Sequence, residues 1–306
     1  MRDVAQSSSG PGPALGAQKE SGSMELENLD EYPCIAEGGQ SKIYQYDEST
    51  VLRVPKREMD FDRIRYEYNV YRLVQDRILV PKVHDIVTVH NIPCLLMDKL
   101  AGPDLFSRLE SNLSTLWGLP KKLASLHKDL WKISGDDLLE TNHGKANYCI
   151  GKSEILSPDT KDQLLDLLST LDSTDTLCHG DFHPGNIIEA GGRDYIIDWS
   201  SATRGSPLFD IAHTYLLLMN IPRLKSVSDQ YYRFQRMVTR YIGKRYLRMV
   251  CKERSCSPHD LFPYILIKAG ERTFYGMESE KRWLLDFITN TLDQETIDVL
   301  HLEKYA

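Results

Sequence analysis

The chain has 306 residues, of which 41% are hydrophobic and 26% are charged, and this balance is typical of a globular protein large enough for two lobes. Its formal net charge of −7 disfavours a general nucleic-acid binder. No apolar run reaches the roughly 18 to 20 residues that a membrane-spanning helix needs. Six cysteines without a CxxC pair indicate reduced thiols, so we expect a cytoplasmic protein with neither nucleic acid nor membrane as a partner.

The first segment, residues 1–23, is rich in Ser, Gly and Pro and contains almost no large apolar side chains. Such a composition cannot offset the entropy cost of ordering, so the segment is predicted to be a disordered tail. Met24 opens the first foldable segment and is a candidate for the biological start of the chain.

Residues 24–99 are predicted to form a β-rich lobe. The stretch "CIAEGGQSKIYQYDESTVLRVPK" contains two short strand-like runs separated by the turn "DEST". Apolar side chains at helical spacing predict a helix from Met59 to about Gln75, and a second hairpin is predicted to turn at residues 91–93. The predicted order is therefore hairpin, helix, hairpin.

Residues 100–306 are predicted to form a larger, mainly helical lobe. Amphipathic patterns run from Leu119 to Leu130 and from Ser157 to Leu171, the second with a Ser cap and a Pro in its first turn. Further helical patterns continue to the C-terminus after one polar loop. Strands in one part of the chain and helices in the other predict an α+β fold.

The polar loop "CHGDFHPGNII", from Cys178 to Ile188, carries more hydrogen-bonding side chains than a solvent turn needs. Asp181 precedes Asn186 by five residues, which is the H-x-D-x-x-x-x-N spacing of a kinase catalytic loop. Asp198 ends the apolar run "YIID", and a carboxylate with an amide supplies hard oxygen ligands suited to Mg²⁺. The pattern predicts phosphoryl transfer with Asp181 as the base and with Asn186 and Asp198 as metal ligands.

The β-rich lobe offers matching groups for nucleotide phosphates. Gly38 and Gly39 let backbone N–H groups approach a phosphate, and Ser41 adds a hydroxyl donor. Arg53, on the second strand of the first hairpin, is predicted to reach both a phosphate and Glu67 on the following helix. The lobe is therefore interpreted as nucleotide-binding.

The run "CHGDFHPGNII…YIIDWSSATRGSPLFDIA" closely resembles the aminoglycoside phosphotransferase and choline kinase family, and the resemblance covers about Glu37 to Tyr215. It implies a two-lobed, protein-kinase-like fold and an ATP- or GTP-dependent kinase that uses Mg²⁺ and a small-molecule hydroxyl acceptor. By the same resemblance, the backbone around Met97, Asp98 and Lys99 forms the hinge that binds the purine edge.

Further roles follow from the resemblance. Asp210 resembles the helix aspartate that braces the catalytic loop, and His179 resembles the histidine that anchors it. Glu67 corresponds to the helix glutamate that pairs with the basic residue. The family often has Lys where this chain has Arg53, and arginine differs from lysine in its length and in its planar, bidentate fork.

Rival interpretations of these residues stay open. The polar loop could be only a hydrogen-bonded turn, or its cysteine and two histidines could hold zinc. His127 and His213 lie in helical patterns and are interpreted as packing residues. "SPHD", from Ser257 to Asp260, is interpreted as a helix cap rather than a catalytic triad.

A basic helix follows the motif region, in the stretch "YYRFQRMVTRYIGKRYLRMVCKER". Its basic residues fall near one helical face: Arg233, Arg236, Arg240, Lys244 and Arg248. The face is either a patch for an anionic substrate or acidic partner, or a solvated surface. A patch of this kind at the acceptor site would repel a polycationic aminoglycoside.

The sequence as a whole favours a kinase that moves the γ-phosphoryl group of ATP or GTP to a hydroxyl of an aminoglycoside-, choline- or metabolite-like acceptor. A nucleotide-binding pseudokinase, suggested by Arg53, is the alternative, and a protein kinase is a third interpretation. Candidate acceptor contacts are Asp136, Glu140, Tyr275 and Glu278. The sequence predicts neither the acceptor nor the oligomeric state.

Overall fold

The computed structural model describes residues 25–26, 28–38, 41–56, 61–221, 223, 227–294 and 297–304. The predicted tail, the candidate start at Met24 and one member of the glycine pair, Gly39, lie outside these residues. The chain divides into two compact units. We call the described residues up to Arg108, together with Pro184–Ala202, the β-rich unit. Leu109–His183 and the residues from Thr203 onward are the helical unit.

The β-rich unit is built on a six-stranded mixed sheet. Its strands in chain order are β1 (Glu25–Leu26), β2 (Cys34–Glu37), β3 (Ser41–Gln45), β4 (Thr50–Pro55), β5 (Val83–Val89) and β6 (Ile92–Asp98). The order across the sheet is β1-β5-β6-β4-β3-β2, with β1 and β5 parallel and the other neighbours antiparallel. Both predicted hairpins are present, and β2 is an additional strand that the sequence reading did not separate.

One helix, α1 (Phe61–Val74), packs on β5 and β6 and confirms the predicted helix. Side chains alternate between the faces of a strand. On β4, Leu52 and Val54 enter an apolar cluster with residues of β5 and β6. Arg53, between them, therefore points to the opposite face of the sheet, where its guanidinium meets Glu67 of α1.

A small hairpin completes the β-rich unit, formed by β8 (Ile187–Ala190) and β9 (Arg193–Ile196). Its two turn residues, Gly191 and Gly192, have φ values of 56° and 73°. Tight hairpin turns of this kind need positive φ at both central positions, which glycine adopts without strain.

The helical unit contains most of the helices. They are α3 (Leu119–Leu130), α4 (Asn142–Lys152), α5 (Pro158–Ser169), α6 (Pro207–Met219), α7 (Asp229–Arg254), α8 (Phe262–Tyr275) and α9 (Glu278–Thr291). A further helix, α2 (Leu105–Ser111), carries the chain from one unit into the other. Two short strands, β7 (Thr176–Cys178) and β10 (Thr203–Gly205), pair antiparallel. No helix in the described part of the chain is long and apolar enough to cross a membrane.

The helix signals in the sequence are confirmed in detail. Helix α3 has the predicted bounds, and Ser157 caps α5 by accepting a hydrogen bond from the Thr160 N–H at 3.1 Å. Ser257 and Asp260 form a reciprocal capping box, which confirms the cap interpretation of "SPHD". A sheet in one unit and helices in the other confirm the α+β class. The assignment of nucleotide binding to residues 24–99 and of catalysis to residues 100–306 stays a prediction.

Candidate functional site

A buried charge network in the β-rich unit links a strand, a helix and a loop. Arg53 Nη1 donates to Glu67 Oε2 at 2.5 Å, and Arg53 Nη2 donates to Asp198 Oδ1 at 3.2 Å. Arg53 and Glu67 are 7% and 1% exposed. In a region that excludes water, each charge needs the opposite charge of the other to offset its loss of hydration. The predicted pairing of Arg53 with Glu67 is present, and the additional contact with Asp198 was not predicted.

For each member of the buried pair, burial and the charge of the other member act in opposite directions on the pKa. Loss of hydration raises the pKa of Glu67 to about 7, although the Arg53 charge opposes the rise. The neighbouring carboxylates raise the pKa of Arg53 above its ordinary value, although burial opposes the rise. Glu67 Oε1 is buried without a hydrogen-bond partner among the described residues. Within the described part of the chain, the helix glutamate is therefore hydrogen-bonded by Arg53 through one of its two oxygens.

The backbone at Asp198 is in the left-handed region, with φ 62° and ψ 69°. Aspartate adopts this region more readily than most residues, at a modest cost in strain. The Asp198 N–H donates to the hydroxyl of the buried Tyr71 at 3.1 Å, and the Ser200 hydroxyl donates to Asp198 Oδ1 at 2.8 Å. Tyr71 lies on α1 and was missed by the sequence reading. These contacts fix the carboxylate through its backbone as well as its side chain.

The small hairpin places Asn186 and Asp198 at the same end. Ile187 pairs with Ile196, Asn186 precedes the first of these residues, and Asp198 follows the second at two positions' distance. The Ile197 N–H closes the ladder by donating to the Asn186 carbonyl at 3.0 Å. The pairing of β8 with β9 therefore brings Asn186 and Asp198, which are twelve positions apart in the sequence, to neighbouring places in the fold. Metal binding by the two side chains stays a prediction.

The candidate phosphate loop joins β2 to β3. The Gly38 N–H donates to the Ser41 carbonyl at 2.9 Å, so the described ends of the loop form a tight turn. The Ser41 hydroxyl is buried without a hydrogen-bond partner among the described residues. Gly39, between them, lies outside the described part of the chain. Contacts of Gly38, Gly39 and Ser41 with phosphate stay predictions.

The predicted hinge lies at the end of β6. The Asp98 N–H donates to the Lys82 carbonyl at 2.9 Å, and the Lys99 N–H donates to the Ser49 carbonyl at 2.8 Å. Met97 pairs within the sheet with residues of both β4 and β5. The first N–H group after Lys99, that of Leu100, makes no hydrogen bond among the described residues. Purine binding at Met97, Asp98 and Lys99 stays a prediction.

In the helical unit, the backbone of the His179–Asp181 loop is held by Asp210 of α6. Asp210 Oδ2 accepts from the His179 N–H at 2.7 Å, and Oδ1 accepts from the Gly180 N–H at 2.9 Å. Gly180 has a φ of 79°, a conformation that glycine adopts without strain. His179 Nδ1 in turn accepts from the Asp181 N–H at 3.2 Å. The bracing predicted for Asp210 and His179 is confirmed.

His127, interpreted from the sequence as a packing residue, is a central member of this network. Its Nε2 lies 3.0 Å from Asp210 Oδ2, and its Nδ1 lies 2.5 Å from the Tyr246 hydroxyl. The ring also packs on Phe182, with centroids 4.3 Å apart. Although burial alone would raise the pKa of Asp210, His127 holds it well below its usual range. The packing interpretation of His127 is therefore corrected: this fully buried histidine orients Asp210.

The predicted base Asp181 has a partly exposed side chain, 32% accessible. Although burial alone would raise the pKa of Asp181, the nearby His183 holds it well below its usual range, with smaller contributions from His213 and His179. His183 Nε2 lies 3.6 Å from Asp181 Oδ2. Asp181 is therefore ionised at neutral pH and can accept a hydrogen bond from a hydroxyl. Its role as the base stays a prediction.

His213, the second predicted packing histidine, is also polar in its contacts. Arg272 Nη1 lies 3.0 Å from His213 Nε2, and Arg272 Nη2 donates to Glu280 Oε1 at 2.6 Å. An arginine can only donate, so Nε2 accepts and the imidazole is neutral, with its proton on Nδ1. Burial, with the charges of Lys268 and Arg272, lowers the pKa of His213 to about 3. The packing interpretation is corrected here as well.

Among the described residues, no group of three or more His, Cys, Asp or Glu is arranged to hold a metal ion. The zinc interpretation of the polar loop therefore receives no support. Cys178 is buried, and its sulfur lies 3.4 Å from the Asn142 amide nitrogen. A magnesium site made of one aspartate, one asparagine and phosphate oxygens would not meet this criterion. It contains only one residue of the four types, because Mg²⁺ binds few protein ligands when phosphates are present.

Three of the candidate acceptor side chains have partners within the helical unit. The Tyr275 hydroxyl donates to Glu271 Oε1 at 3.0 Å, and Glu278 Oε2 lies 3.0 Å from Lys281 Nζ. Asp136 accepts from the Leu138 N–H at 2.8 Å. Acceptor binding by these side chains and by Glu140 stays a prediction.

The sheet with one packed helix, the helical unit and the braced His-Gly-Asp loop together define a protein-kinase-like α+β fold. The sequence profile of the phosphotransferase enzyme family (APH) matches residues 35–236, and the chain belongs to this family. The resemblance drawn from the motifs is confirmed. Among curated proteins, none matches the sequence closely enough to count as a relative.

Solved structures support the fold. An amicoumacin kinase, hAmiN, in complex with AMP-PNP, Ca²⁺ and Ami, is 15% identical with a TM-score of 0.59, covering 91% of this chain and 94% of that chain. A thermostable mutant of aminoglycoside phosphotransferase APH(4)-Ia, in a ternary complex with AMP-PNP and hygromycin B, is 17% identical with a TM-score of 0.58, covering 89% and 93%. A choline/ethanolamine kinase family protein from Mesorhizobium loti is 12% identical with a TM-score of 0.50, covering 89% and 84%. At such low identities the likeness shows the fold alone.

Proposed function

We propose that the chain is an Mg²⁺-dependent phosphotransferase that moves the γ-phosphoryl group of ATP or GTP to a hydroxyl of a small molecule. The observation that carries this proposal is the Arg53–Glu67–Asp198 network, in which one buried cation joins the helix glutamate to the strand-end aspartate. An ion pair to the helix glutamate and a placed metal-binding aspartate are parts that kinase chemistry requires. The six cysteines are all free thiols, which fits the reducing cytoplasm.

The donor set at the small hairpin fits Mg²⁺. Asp198 offers a carboxylate whose Oδ2 makes no hydrogen bond among the described residues, and Asn186 offers an amide oxygen. One or two protein oxygens with substrate phosphates are the usual ligands of Mg²⁺ in kinases. When bound, Mg²⁺ would neutralise charge on the phosphates and align them. Hydrogen bonds with Tyr71 and Ser200 restrain Asp198, which supports this proposed role.

Arg53 supplies a fixed positive charge at the position where the family often has lysine. Its guanidinium carries five N–H donors, and the contacts with Glu67 and Asp198 engage both terminal nitrogens. Remaining donors can bind a phosphate oxygen. Because Asp98 and Lys99 use their N–H groups inside the unit, we propose that the Leu100 N–H is the donor to the purine edge.

Asp181 would orient the acceptor hydroxyl and take its proton. Its low pKa makes it a weak base, which suits phosphoryl transfer, because little charge builds on the attacking oxygen before the phosphoryl group is largely detached. Asp210, His127 and His179 contribute by holding the Asp181 backbone in place.

A small acceptor fits the chain better than a protein. Residues 199–206, between Asp198 and α6, form a short 3-10 helix (Trp199–Ser201) and β10. Because β10 pairs with β7, these residues are part of the regular structure. They are too few to form a long activation segment that could bind a peptide substrate. Solved relatives bound to hygromycin B and to Ami are consistent with a small acceptor.

The test is acceptor-stimulated ADP release over a panel of hydroxyl compounds that includes aminoglycosides and choline. With a turned-over acceptor, Asp181→Asn is expected to lower kcat by roughly 10²- to 10⁴-fold. Binding of Mg²⁺ with AMP-PNP should change less than about twofold, because the substitution removes no ligand of the nucleotide. Asp229→Asn, which removes an exposed carboxylate paired with Arg223, is the matched control and should keep full activity.

Unchanged turnover in the Asp181→Asn protein would contradict the assignment of the base. One observation favours a second candidate, a nucleotide-binding pseudokinase: Arg53 already occupies Oδ1 of Asp198. Mg²⁺-dependent AMP-PNP binding without any phosphorylated product over the panel would support it. Transfer to generic protein substrates would instead indicate a protein kinase.

A further inference from the structure

The outer face of α7 contains a concave, basic groove with a volume of about 450 Å³. Among the described residues, its lining consists of Arg233, Arg236, Met237, Arg240, Tyr241 and Lys244. Each of these positions has another lining residue three or four positions away along the helix, so together they form one stripe on its surface. Four of the five basic residues predicted to share a face line the groove, and the fifth, Arg248, is exposed on the same helix but does not contribute to the lining.

Helix α7 is basic, although the protein as a whole is acidic. The whole chain has a net charge of −7, whereas α7 carries eight basic residues and only two acidic ones, Asp229 and Glu253. Asp229 pairs with Arg223, and Glu253 pairs with Lys128. Neither acidic residue therefore compensates the groove.

Two of the groove cations have no acidic partner. Among the described residues, no carboxylate lies within 4.0 Å of the guanidinium nitrogens of Arg233 or Arg236. Arg236 Nε is in addition buried without any hydrogen-bond partner among those residues. A buried donor on a cation costs free energy unless an acceptor satisfies it. The groove thus presents positive charge, and one of its cations also carries a buried donor without a partner among the described residues.

The groove is held in shape by its neighbours. The Arg236 guanidinium lies 5.6 Å from the centroid of the Tyr232 ring, and the Tyr232 hydroxyl donates to the Ile221 carbonyl at 3.1 Å. Arg240 Nε donates at 3.3 Å to the carbonyl of Met219, the last residue of α6. Cations that are already oriented lose less conformational entropy when they bind a ligand than loose surface side chains do.

Tyr241 of the groove lining belongs to an aromatic pair. Trp117 packs edge to face on Tyr241, with ring centroids 5.9 Å apart, and the Trp117 side chain is 73% exposed. A tryptophan this exposed is uncommon on a soluble surface and reports on the polarity around it. It provides a spectroscopic probe beside the groove lining.

We propose that this groove binds a small soluble molecule that carries two or more phosphate groups. The four cations extend over twelve residues, or about 16 Å for eleven steps at the helical rise of 1.5 Å, which suits several anionic groups rather than one. A volume of this size is typical of sites for small ligands. Guanidinium groups bind phosphate bidentately, and three of the four cations are arginines. The proposal is independent of the proposed phosphoryl transfer.

The test uses sodium tripolyphosphate as the probe, titrated calorimetrically into the full chain without divalent cations. Saturable binding with one site is expected. The double variant Arg233→Gln with Arg236→Gln should weaken binding at least about tenfold, because two charge-assisted contacts are lost. The matched control, Arg248→Gln with Lys252→Gln, removes the same charge from exposed positions of α7 outside the lining and should change binding less than about twofold.

Equal weakening in both double variants would overturn the proposal, because it would show a diffuse electrostatic effect rather than a site. Absence of saturable binding would overturn it too, as would binding only to vesicles that contain phosphoinositides. If the groove variant does not fold, the native chain decides the question. Tripolyphosphate should then change its tryptophan fluorescence, and Trp117→Phe should abolish this change while calorimetric binding persists. A response that survives Trp117→Phe would place the ligand elsewhere.

Discussion

Arg53 Nη2 donates a hydrogen bond to Asp198 Oδ1 at 3.2 Å, although 145 positions separate the two residues in the chain. The same guanidinium binds Glu67 through Nη1. One side chain therefore ties the strand, the helix and the strand-end aspartate of the β-rich unit together. A lysine has a single ammonium group in place of this planar fork, so it could not reproduce both contacts with the same geometry.

Replacement of Arg53 should reveal this double role. Arg53→Ala is expected to lower the free energy of unfolding by about 3 to 5 kcal/mol, because Glu67 is left buried without compensation. Arg53→Lys should cost less, since one of the two contacts can be kept. Chemical denaturation measures both. Lys56→Ala removes the more exposed pair with Glu37 and is the control, with an expected loss below about 1 kcal/mol. Similar losses for Arg53→Ala and Lys56→Ala would contradict the compensating role of Arg53.

Tyr71 is expected to act through Asp198. Tyr71→Phe keeps the buried ring but removes the acceptor of the Asp198 N–H, so the free energy of unfolding should fall by about 1 to 3 kcal/mol. If Asp198 holds the metal, the variant should also need more Mg²⁺ for half-maximal activity. Tyr44→Phe, which alters a tyrosine packed on the apolar cluster of the sheet, is the control and should stay within about 0.5 kcal/mol. An unchanged Mg²⁺ requirement in an active Tyr71→Phe protein would separate Tyr71 from the metal site.

His127 and Asp210 should behave as one unit. Because they share a buried hydrogen bond at 3.0 Å, a double-mutant cycle of His127→Gln and Asp210→Asn is expected to give a coupling energy of roughly 0.5 to 3 kcal/mol. The Asp210 variant should in addition lower kcat, since two N–H groups of the catalytic loop lose a charged acceptor. Denaturation curves and initial rates provide both readouts. A cycle of Asp210→Asn with the more distant His259→Gln is the control, and strict additivity of the first cycle would refute the link.

Acid should destabilise the fold through His213. Its pKa is about 3 in the fold, whereas an unperturbed imidazole titrates near 6.5. Between these values the unfolded chain binds more protons, so stability is present above about pH 6.5 and is lost as the pH falls. His213→Gln keeps an acceptor for Arg272 but cannot titrate. The free energy of unfolding of this variant should therefore fall less steeply with decreasing pH than that of the native chain, and the two slopes should differ by up to about 1.4 kcal/mol per pH unit.

Urea denaturation at several pH values between 7 and 4 measures this difference. The exposed His259 provides the matched control, and His259→Gln should follow the native chain within about 0.5 kcal/mol. Parallel curves for His213→Gln and the native chain would show that His213 is not held neutral by its surroundings.

The local features of the protein were readable from its sequence. Helix α3 has the bounds that its apolar pattern predicts, Ser157 caps α5, and both hairpins lie where the turn residues placed them. The kinase-like motif was equally readable, because the spacing of Asp181, Asn186 and Asp198 is a property of a short stretch of chain. Periodicity, capping and motif spacing all depend on residues that are near each other in sequence.

The sequence could not reveal partners that are distant along the chain. His127 was read as packing because a histidine in an apolar stripe looks the same whether or not a carboxylate meets it. The stripe of Leu119, Leu123, His127 and Leu130 contained one usable signal, since a buried histidine requires a hydrogen-bond partner. The identity of that partner, Asp210, depends on how α3 and α6 pack.

The sequence by itself determined the α+β class, the family, the bounds of α3 and the positions of the two hairpins, since these follow from local patterns. It also predicts which residues would carry phosphoryl-transfer chemistry. Only the tertiary structure decided that Arg53 reaches Asp198 as well as Glu67, that His127 orients Asp210, and that four cations of α7 line a groove. The physical reason is that a side chain's hydrogen bonds and burial are set by its neighbours in space, and those neighbours are brought together only when the elements pack.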